Sequence, residues 1–333
     1  MIVVKGTDKD STTMIWQRDG RKNNHWRLTR TINATNRTEV ALSPSFVAVS
    51  DGEQVAVYNR AKLKASPYIV ESNANKRYIL SIAVTNSHLA VSYGGLVDMY
   101  YHASNTWQYL QTINQTHINS DDLGAVQSRS PSIPIRMVDG LLGLSFPGIL
   151  GESWVTVVSG SVDLFTVNPE TKLWEYKQSF SGGGNEPPQF SFGDAATVAV
   201  SHQSTGPMGD TSPADLHIYM RNATGVFDQV YYKEQIPCST DDQYCSADAL
   251  MAMASGTVAV LEPTTDIIYI YQRSELEGKW RLAVKIKQYV DDVYTLPSLA
   301  ASSCYVAQAG LVMAGDKLHS KGCVLVYELS DYL

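Results

Sequence analysis

One short pattern recurs seven times along this chain and restricts its fold more than any other feature. Each copy has a strand of small residues and valine, a turn, a strand that carries an aromatic residue, and a polar turn that usually leads to a tryptophan. The aromatic residues of the seven copies are Trp16, Tyr58, Tyr100, Phe165, Tyr219, Tyr271 and Tyr327. A period of roughly 40 to 55 residues, with four strand-like segments per copy, is typical of β-propeller blades. The sequence therefore predicts an all-β, seven-bladed β-propeller with about four antiparallel strands per blade.

The third copy shows how the four strands of a blade, a to d, are assigned. We predict strand a at Ser81–Val84, b at Leu89–Ser92, c at Val97–His102 and d at Trp107–Ile113. Apolar and polar residues alternate in strand c, which predicts a half-buried strand. Its two faces hold Val97, Met99 and Tyr101, and Asp98, Tyr100 and His102. We also expect the aromatic residue of c to pair with the one that opens d.

The repeats predict a single domain over residues 1–333. Its approximate blades are residues 1–33, 34–73, 74–114, 115–181, 182–237, 238–290 and 291–333. The first copy begins with Ile2–Lys5 as its strand b, and the last ends after strand c at Tyr327. Two interpretations remain: irregular strands complete these blades, or the chain is a segment of a longer polypeptide.

The charge of the chain bears on the classes of partner. With 26 basic and 33 acidic residues the net charge is −7, which gives no reason to expect nucleic acid or an anionic membrane surface. No apolar run approaches the roughly 18–20 residues that span a bilayer. We therefore predict neither nucleic-acid binding nor membrane insertion of this segment.

The four cysteines suggest disulfide bonds. Cys238 and Cys245 bracket a polar loop, and we predict that they are bonded to each other. Cys304 and Cys323 fall at or near the starts of strands a and c of the last copy. Two strands separated by a third lie about 9–10 Å apart, beyond disulfide reach, so a second bond requires a displaced strand end. No zinc-type cysteine spacing is present.

Four asparagines lie in glycosylation sequons, at or beside predicted loops: Asn33, Asn36, Asn114 and Asn222. Composition alone gives roughly two such sequons, so chance is a serious alternative. Together with the cysteines they favour the secretory pathway and an extracellular or cell-surface location.

The blade pattern resembles the FG-GAP repeat of integrin-α-type propellers. The fifth copy has Phe192 and Gly193 before the valine-rich strand Thr197–Ser201. The resemblance implies a propeller of surface proteins, but the calcium loops of that family are missing. The nearest string, Asp8-Lys9-Asp10, lacks the further acidic residue and glycine, so no family calcium site is carried over.

The connections from d to a and from b to c are long and emerge on one face, which is therefore the predicted contact face. They include Gln115–Pro134, Ser181–Pro188, Pro237–Ala247, Gln288–Pro297, His202–Ala214 and Lys317–Gly322. Paired acids in three of them are weak candidates for a calcium site, and solvated loop charges explain them equally well. These acids are Asp121, Asp122, Asp241, Asp242, Asp291 and Asp292.

Catalysis and cofactor binding find little support in the sequence. The seven histidines share no repeat position, and no catalytic or nucleotide-binding motif is present. Basic residues follow the aromatic of strand c with the blade period, which favours a structural role for Arg18, Arg60, Arg221 and Arg273. We predict no catalytic residue and no bound cofactor, with calcium as the one alternative.

These observations predict a non-catalytic extracellular propeller that acts as an adhesion, protein-interaction or assembly module. Its partners are then proteins or further copies of the chain, and exposed strand-d edges at the blade rims are a second contact surface. Two alternatives stay open: a lectin-like propeller that binds glycans, and a propeller enzyme such as a glycoside hydrolase with scattered site residues.

Overall fold

The structure, a computed structural model, confirms the all-β prediction. It describes residues 2–5, 12–18, 26–33, 39–71, 78–93, 96–114, 134–146, 149–150, 156–158, 160–181, 188–202, 215–233, 250–262, 267–274, 276–287, 293–301, 305–312 and 321–331. These residues form 28 strands and two short 3-10 helices, and no α-helix occurs among them. No helix in these ranges is long and apolar enough to cross a membrane.

The strands fall into two compact units, residues 1–142 with 166–175 and residues 143–165 with 176–333. The first unit holds three whole antiparallel sheets, ordered β1-β2-β3, β4-β5-β6-β7 and β8-β9-β10-β11. Their strands are β1 (Ile2–Lys5), β2 (Thr12–Arg18), β3 (Trp26–Asn33), β4 (Val40–Leu42), β5 (Phe46–Ser50), β6 (Gln54–Asn59), β7 (Tyr68–Glu71), β8 (Ser81–Val84), β9 (His88–Ser92), β10 (Leu96–Ala103) and β11 (Thr106–Asn114). A 3-10 helix, Arg60–Lys62, follows β6.

A fourth sheet contributes residues to both units. Its strands, in the order β12-β13-β16-β17, are β12 (Ile135–Val138), β13 (Leu141–Phe146), β16 (Ser161–Val167) and β17 (Trp174–Ser181). Between β13 and β16 lies a hairpin that the repeat did not predict, formed by β14 (Ile149–Leu150) and β15 (Thr156–Val158).

The second unit holds the remaining three sheets, ordered β18-β19-β20-β21, β22-β23-β24-β25 and β26-β27-β28. Their strands are β18 (Gln189–Asp194), β19 (Thr197–His202), β20 (Asp215–Arg221), β21 (Phe227–Lys233), β22 (Leu250–Ala254), β23 (Thr257–Glu262), β24 (Ile267–Arg273), β25 (Trp280–Lys287), β26 (Val293–Ala301), β27 (Tyr305–Val312) and β28 (Lys321–Glu328). The second 3-10 helix is Leu329–Asp331.

The strand assignment of the repeat agrees with these sheets. All four strands of the third copy lie where they were predicted, within one residue at each end. The first and last sheets have three strands among the described residues. The first begins with strand b and the last ends with strand c, as the sequence indicated.

The prediction of a half-buried strand c is wrong for β10. Val97, Asp98, Met99 and Tyr100 are all buried, and Tyr101 is exposed. The alternation fails because one face of this sheet packs on the preceding sheet, in a core that includes Tyr100, Trp107, Phe46 and Val57, while Val97 and Met99 are buried as well. A strand covered on both faces does not alternate.

The expected pairing between the two aromatics of a blade is also wrong in register. Tyr100 pairs across the strands with Tyr109, and their ring centroids are 6.0 Å apart. Trp107 pairs instead with His102, and its ring lies 5.2 Å from that of Phe46 in the preceding sheet. Trp107 therefore contacts the neighbouring strand through His102, at 4.9 Å between ring centroids, and the preceding sheet through Phe46.

The polar turn between strands c and d explains part of the repeat. The Oδ1 of Asn168 accepts hydrogen bonds from the backbone N–H groups of Glu170 and Thr171, and Oδ1 of Asn222 does the same for Thr224 and Val226. Such Asx turns fix the chain direction locally. The recurring arginines are structural too: Arg60 donates to the carbonyl of Ser43 at 2.7 Å, and Arg273 to that of Gly278 at 3.2 Å.

A recurring side chain of strand d joins each of the first three sheets to the blade that follows it. We call its place, opposite the residue just before the strand-c aromatic, the staple position. It is held by Arg30, Tyr68 and Gln111 in the first three sheets. Arg30 donates to the carbonyl of Ala65, in the connection before β7, and Tyr68 and Gln111 donate to the carbonyls of Trp107 and Trp174 in the outer strands of the sheets that follow.

Candidate functional site

A cavity opens in the first unit between the outer strands of its second and third sheets. It has a volume of about 320 Å³ and is lined by Tyr68, Ile69, Val70, Glu71, Tyr100, Trp107 and Tyr109. We call it the aromatic groove. The first four residues form β7 and the last two lie on β11, so the groove follows the outer edges of two neighbouring sheets.

The rings of the groove divide into a buried and an exposed pair. Tyr100 and Trp107 are only 5% and 6% exposed, whereas Tyr68 and Tyr109 are 38% and 47% exposed. Two large aromatic surfaces therefore face solvent at one place. Exposed aromatics that converge in this way are typical of binding surfaces.

Two hydrogen bonds join the two sides of the aromatic groove. The hydroxyl of Tyr68 donates to the carbonyl of Trp107 at 3.2 Å, and the hydroxyl of Tyr100 donates to the carbonyl of Glu71 at 3.4 Å. Burial raises the pKa of Tyr100, and the neighbouring Tyr93 and Asp98 raise it further. Tyr100 is therefore neutral at physiological pH and acts as a hydrogen-bond donor.

A buried carboxyl group, that of Asp98, is connected to Tyr109 through Thr112. Asp98 is 3% exposed, and its Oδ1 accepts a hydrogen bond from the Thr112 hydroxyl at 2.6 Å. Because that proton goes to Asp98, the Tyr109 hydroxyl donates to Thr112, at 2.8 Å. Burial raises the pKa of Asp98, and its Oδ2 has no hydrogen-bond partner among the described groups. This chain of hydrogen bonds fixes Tyr109 from behind.

The charge of the groove is negative. Glu71 is exposed and is the single acidic side chain among the seven lining residues. None of the seven described lining residues is a lysine, an arginine or a histidine. An occupant with a positive group is therefore favoured over an anionic one.

Most of the site residues predicted from the sequence lie outside the described residues. This holds for Asp121, Asp122, Asp241, Asp242, Asp291 and Asp292, and for Cys238, Cys245 and Cys304. Cys323 lies on β28, where its backbone pairs with Gly310. The two disulfides and the calcium site thus stay predictions. Most of the long loops of the predicted contact face lie outside the described ranges as well.

The sequon asparagines are placed at exposed positions where they are described. Asn33 ends β3 and Asn114 ends β11, and both are exposed. Asn36 lies outside the described residues. Asn222 is exposed, but its Nδ2 donates to Asp228 at 2.8 Å as part of the turn, which gives this asparagine a structural role. Glycosylation stays a prediction.

Metal binding has no support in the described part of the chain. No group of three or more histidine, cysteine, aspartate or glutamate side chains there is placed to hold an ion. The sequence reasoning missed the aromatic groove, although its residues carried a signal. Tyr68 is the aromatic residue that opens strand d of the second copy, and Tyr109 is a further tyrosine in strand d of the third copy, where the blade pattern asks for no second aromatic residue.

No protein-family model and no curated protein sequence matches this chain. Solved structures do. A "putative 6-phosphogluconolactonase" from Bacteroides uniformis is 12% identical, with 86% of this chain and 81% of that chain covered and a TM-score of 0.56. Hsv2 from Kluyveromyces marxianus is 12% identical, with 95% and 91% covered and a TM-score of 0.53. A functionally unknown protein from Desulfotomaculum acetoxidans is 12% identical, with 98% of both chains covered and a TM-score of 0.58.

These likenesses confirm the fold class, a seven-bladed β-propeller, and correct the predicted family. The similar structures are lactonase-type and Hsv2 propellers, so the FG-GAP resemblance is wrong. Phe192 and Gly193 have a local packing reason instead: Phe192 is buried, and a side chain at 193 would meet Met253.

The predicted function is corrected by the same structures. One of them is described as a "putative 6-phosphogluconolactonase" and another as Hsv2, rather than as adhesion or surface-assembly modules. The prediction of an extracellular adhesion or assembly module is therefore wrong, together with its lectin and glycoside hydrolase alternatives. At 12% identity the likeness shows the fold alone, so the absence of catalysis and the extracellular location stay predictions.

Proposed function

We propose that this chain is a binding protein that holds a segment of a partner protein in the aromatic groove. The observation that carries the proposal is the pair of exposed rings, Tyr68 and Tyr109, above a wall of hydrogen-bonded residues. Tyrosine side chains with few rotatable bonds give a large contact area at a small cost in conformational entropy. Rings that are already fixed in place lose even less on binding.

The size and position of the groove favour a polypeptide segment as the occupant. A volume of about 320 Å³ is at the small end of ligand sites and accommodates one or two side chains. The groove runs along β7 and β11, each the last strand in its sheet. An extended segment that lies along such an edge combines backbone hydrogen bonds with a side chain in the groove.

The groove gives no comparable support to catalysis. Its lining residues include no serine, cysteine, lysine or histidine that acts as a nucleophile beside a base. Its hydroxyl groups donate to backbone carbonyls or to Thr112. Binding is therefore the function that this geometry supports best.

Selection of short random peptides displayed on phage tests the proposal. Peptides selected on the unchanged protein should bind Tyr109→Ala about tenfold or more weakly, since truncating a central aromatic residue costs about 1–2 kcal/mol or more. Tyr232→Ala is the matched control, because Tyr232 is 46% exposed, close to the 47% of Tyr109, and lies on the outer strand of another sheet. Failure to select any peptide, or selected peptides that bind both variants equally well, would contradict the proposal.

A further inference from the structure

We propose that the group held in the aromatic groove is a guanidinium, supplied by an arginine of the partner segment. This inference rests on the proposed function and specifies its chemistry. The guanidinium is expected to lie against the tyrosine rings, between the carboxylate of Glu71 and the backbone carbonyls of the groove. The preceding blade interface already binds a guanidinium at the corresponding place.

The interface between the first and second sheets already holds a guanidinium. The guanidinium carbon of Arg30 lies 4.4 Å from the centre of the Tyr58 ring. Its Nη1 donates to the carbonyls of Leu63 and Ala65. Here a tyrosine face and backbone carbonyls together bind a cation that comes from the preceding sheet.

The next interface repeats this arrangement with the cation removed. Tyr68 takes the staple position of Arg30, and Tyr100 takes the strand-c position of Tyr58. Tyr68 donates one hydrogen bond to the carbonyl of Trp107, and the space beside Tyr100 is the groove of about 320 Å³. The second interface therefore keeps the tyrosine and the carbonyl and leaves room for a guanidinium from outside.

The side chain at the staple position decides what spans each interface. Arg30 and Gln111 hold this position in the first and third sheets, and Tyr68, opposite Val57, holds it in the second. The hydroxyl of Tyr68 reaches the Trp107 carbonyl across the interface, and the space beside its ring is the groove.

The chemistry of the lining agrees with a guanidinium. Aromatic faces attract cations, most strongly where water is excluded, and arginine stacks on rings with its planar group. Glu71 supplies a carboxylate, and carbonyl oxygens accept the fixed N–H donors of arginine. A neutral side chain cannot form an ion pair with Glu71, and an anionic one is repelled by it.

The test compares a short glycine-flanked arginine peptide with its citrulline counterpart, which has the same shape without the charge, by ligand-observed NMR on the full chain. The arginine peptide should bind at least about tenfold more tightly than the citrulline peptide, and added salt should weaken it. Glu71→Gln should weaken arginine binding several-fold. Tyr68→Arg should abolish it, because it recreates Arg30 within the chain. Tyr232→Ala should change nothing.

The outcomes separate this inference from the proposed function. Equal binding of both peptides, lost in Tyr109→Ala, would overturn the guanidinium and leave the groove as a protein-binding site. The guanidinium would also be overturned if neither peptide bound while peptides from the phage selection required Tyr109. If peptides bound equally well to Tyr109→Ala and to the unchanged protein, both proposals would fail.

Discussion

Gln111 and Trp174 form a reciprocal pair: Nε2 of Gln111 donates to the Trp174 carbonyl at 3.1 Å, and the Trp174 backbone N–H donates to Oε1 of Gln111 at 2.8 Å. Gln178 makes the same two bonds with Phe227, both at 2.9 Å. One glutamine thus satisfies both backbone groups at the start of the next outer strand. Such pairs hold neighbouring sheets together in register.

Replacing Gln111 with leucine should lower the free energy of unfolding by about 1–3 kcal/mol, because it leaves a partly buried N–H and carbonyl without partners. Chemical denaturation measures the change. Gln108→Leu is the control, since Gln108 is an exposed residue of the same strand, and it should change stability by less than about 0.5 kcal/mol. Equal effects of the two changes would show that the pair does not stabilise the interface.

Arg30→Met should destabilise the protein by a similar amount, about 1–2 kcal/mol. The change keeps much of the apolar stem and removes the hydrogen bonds to the carbonyls of Leu63 and Ala65 together with the contact to the Tyr58 ring. Arg30→Lys should recover only part of the loss, since the ammonium of lysine lacks the planar shape and the fixed N–H directions of a guanidinium. Full recovery by lysine would mean that charge alone is needed at this place.

Asp98 should make the folded state less stable as the pH rises. Burial raises its pKa above the ordinary 3.8, so the folded chain holds a proton there more tightly than the unfolded chain. The free energy of unfolding therefore falls as pH increases from about 3.8 through the raised folded pKa. Asp98→Asn should gain stability relative to the unchanged protein over that range. Denaturation curves measured near pH 4 and near neutrality test this, and a constant difference would contradict it.

The contribution of Asp51 to the free energy of unfolding should depend on pH in the opposite direction. Burial alone would raise its pKa, but hydrogen bonds from Gln54 and Glu53 outweigh that effect and lower it. Its stabilising contribution is therefore present above the ordinary pKa and is lost as pH falls through the lowered folded pKa. Asp51→Asn should be less stable than the unchanged protein near neutrality and approach it in acid. The same denaturation series measures both aspartates, and a loss that persists in acid would refute this prediction.

Gly143→Ala should be more damaging than Gly193→Ala. A Cβ at 143 would lie 2.9 Å from Cζ of Phe192 and closer still to the ring of Phe190, and overpacking of this kind costs about 1–3 kcal/mol. A Cβ at 193 would meet Met253 at 3.2 Å, and a methionine side chain yields readily. Thermal unfolding of the two variants tests the order, and equal melting temperatures would refute it.

The sequence predicted the strands well because each blade repeats the same packing. Small residues and valine in the inner strands, with an aromatic residue in strand c, were enough to place all four strands of the third sheet. The hairpin at Ile149–Leu150 and Thr156–Val158 was missed because, among the described residues, it occurs in one blade alone. Asp98 was misplaced because a period of two does not report a strand covered on both faces.

The aromatic groove could not be predicted from the repeat. Its existence depends on which residue of β7 lies opposite Val57 in β6, because a one-residue change of register decides which side chain faces the interface. From the sequence alone, counting from the blade pattern, Ile69 and Tyr68 are equally plausible at the staple position. The pairing settles the choice in favour of Tyr68.

The most direct test of the central claim is to map where a peptide from the phage selection binds, by backbone NMR of the full chain. The amide chemical shifts should change in Tyr68–Glu71 and Thr106–Asn114, the two strands along the aromatic groove. They should stay constant in Phe227–Lys233, the corresponding outer strand of another sheet. Changes confined to Phe227–Lys233 or to other parts of the chain, with none along the groove, would contradict it.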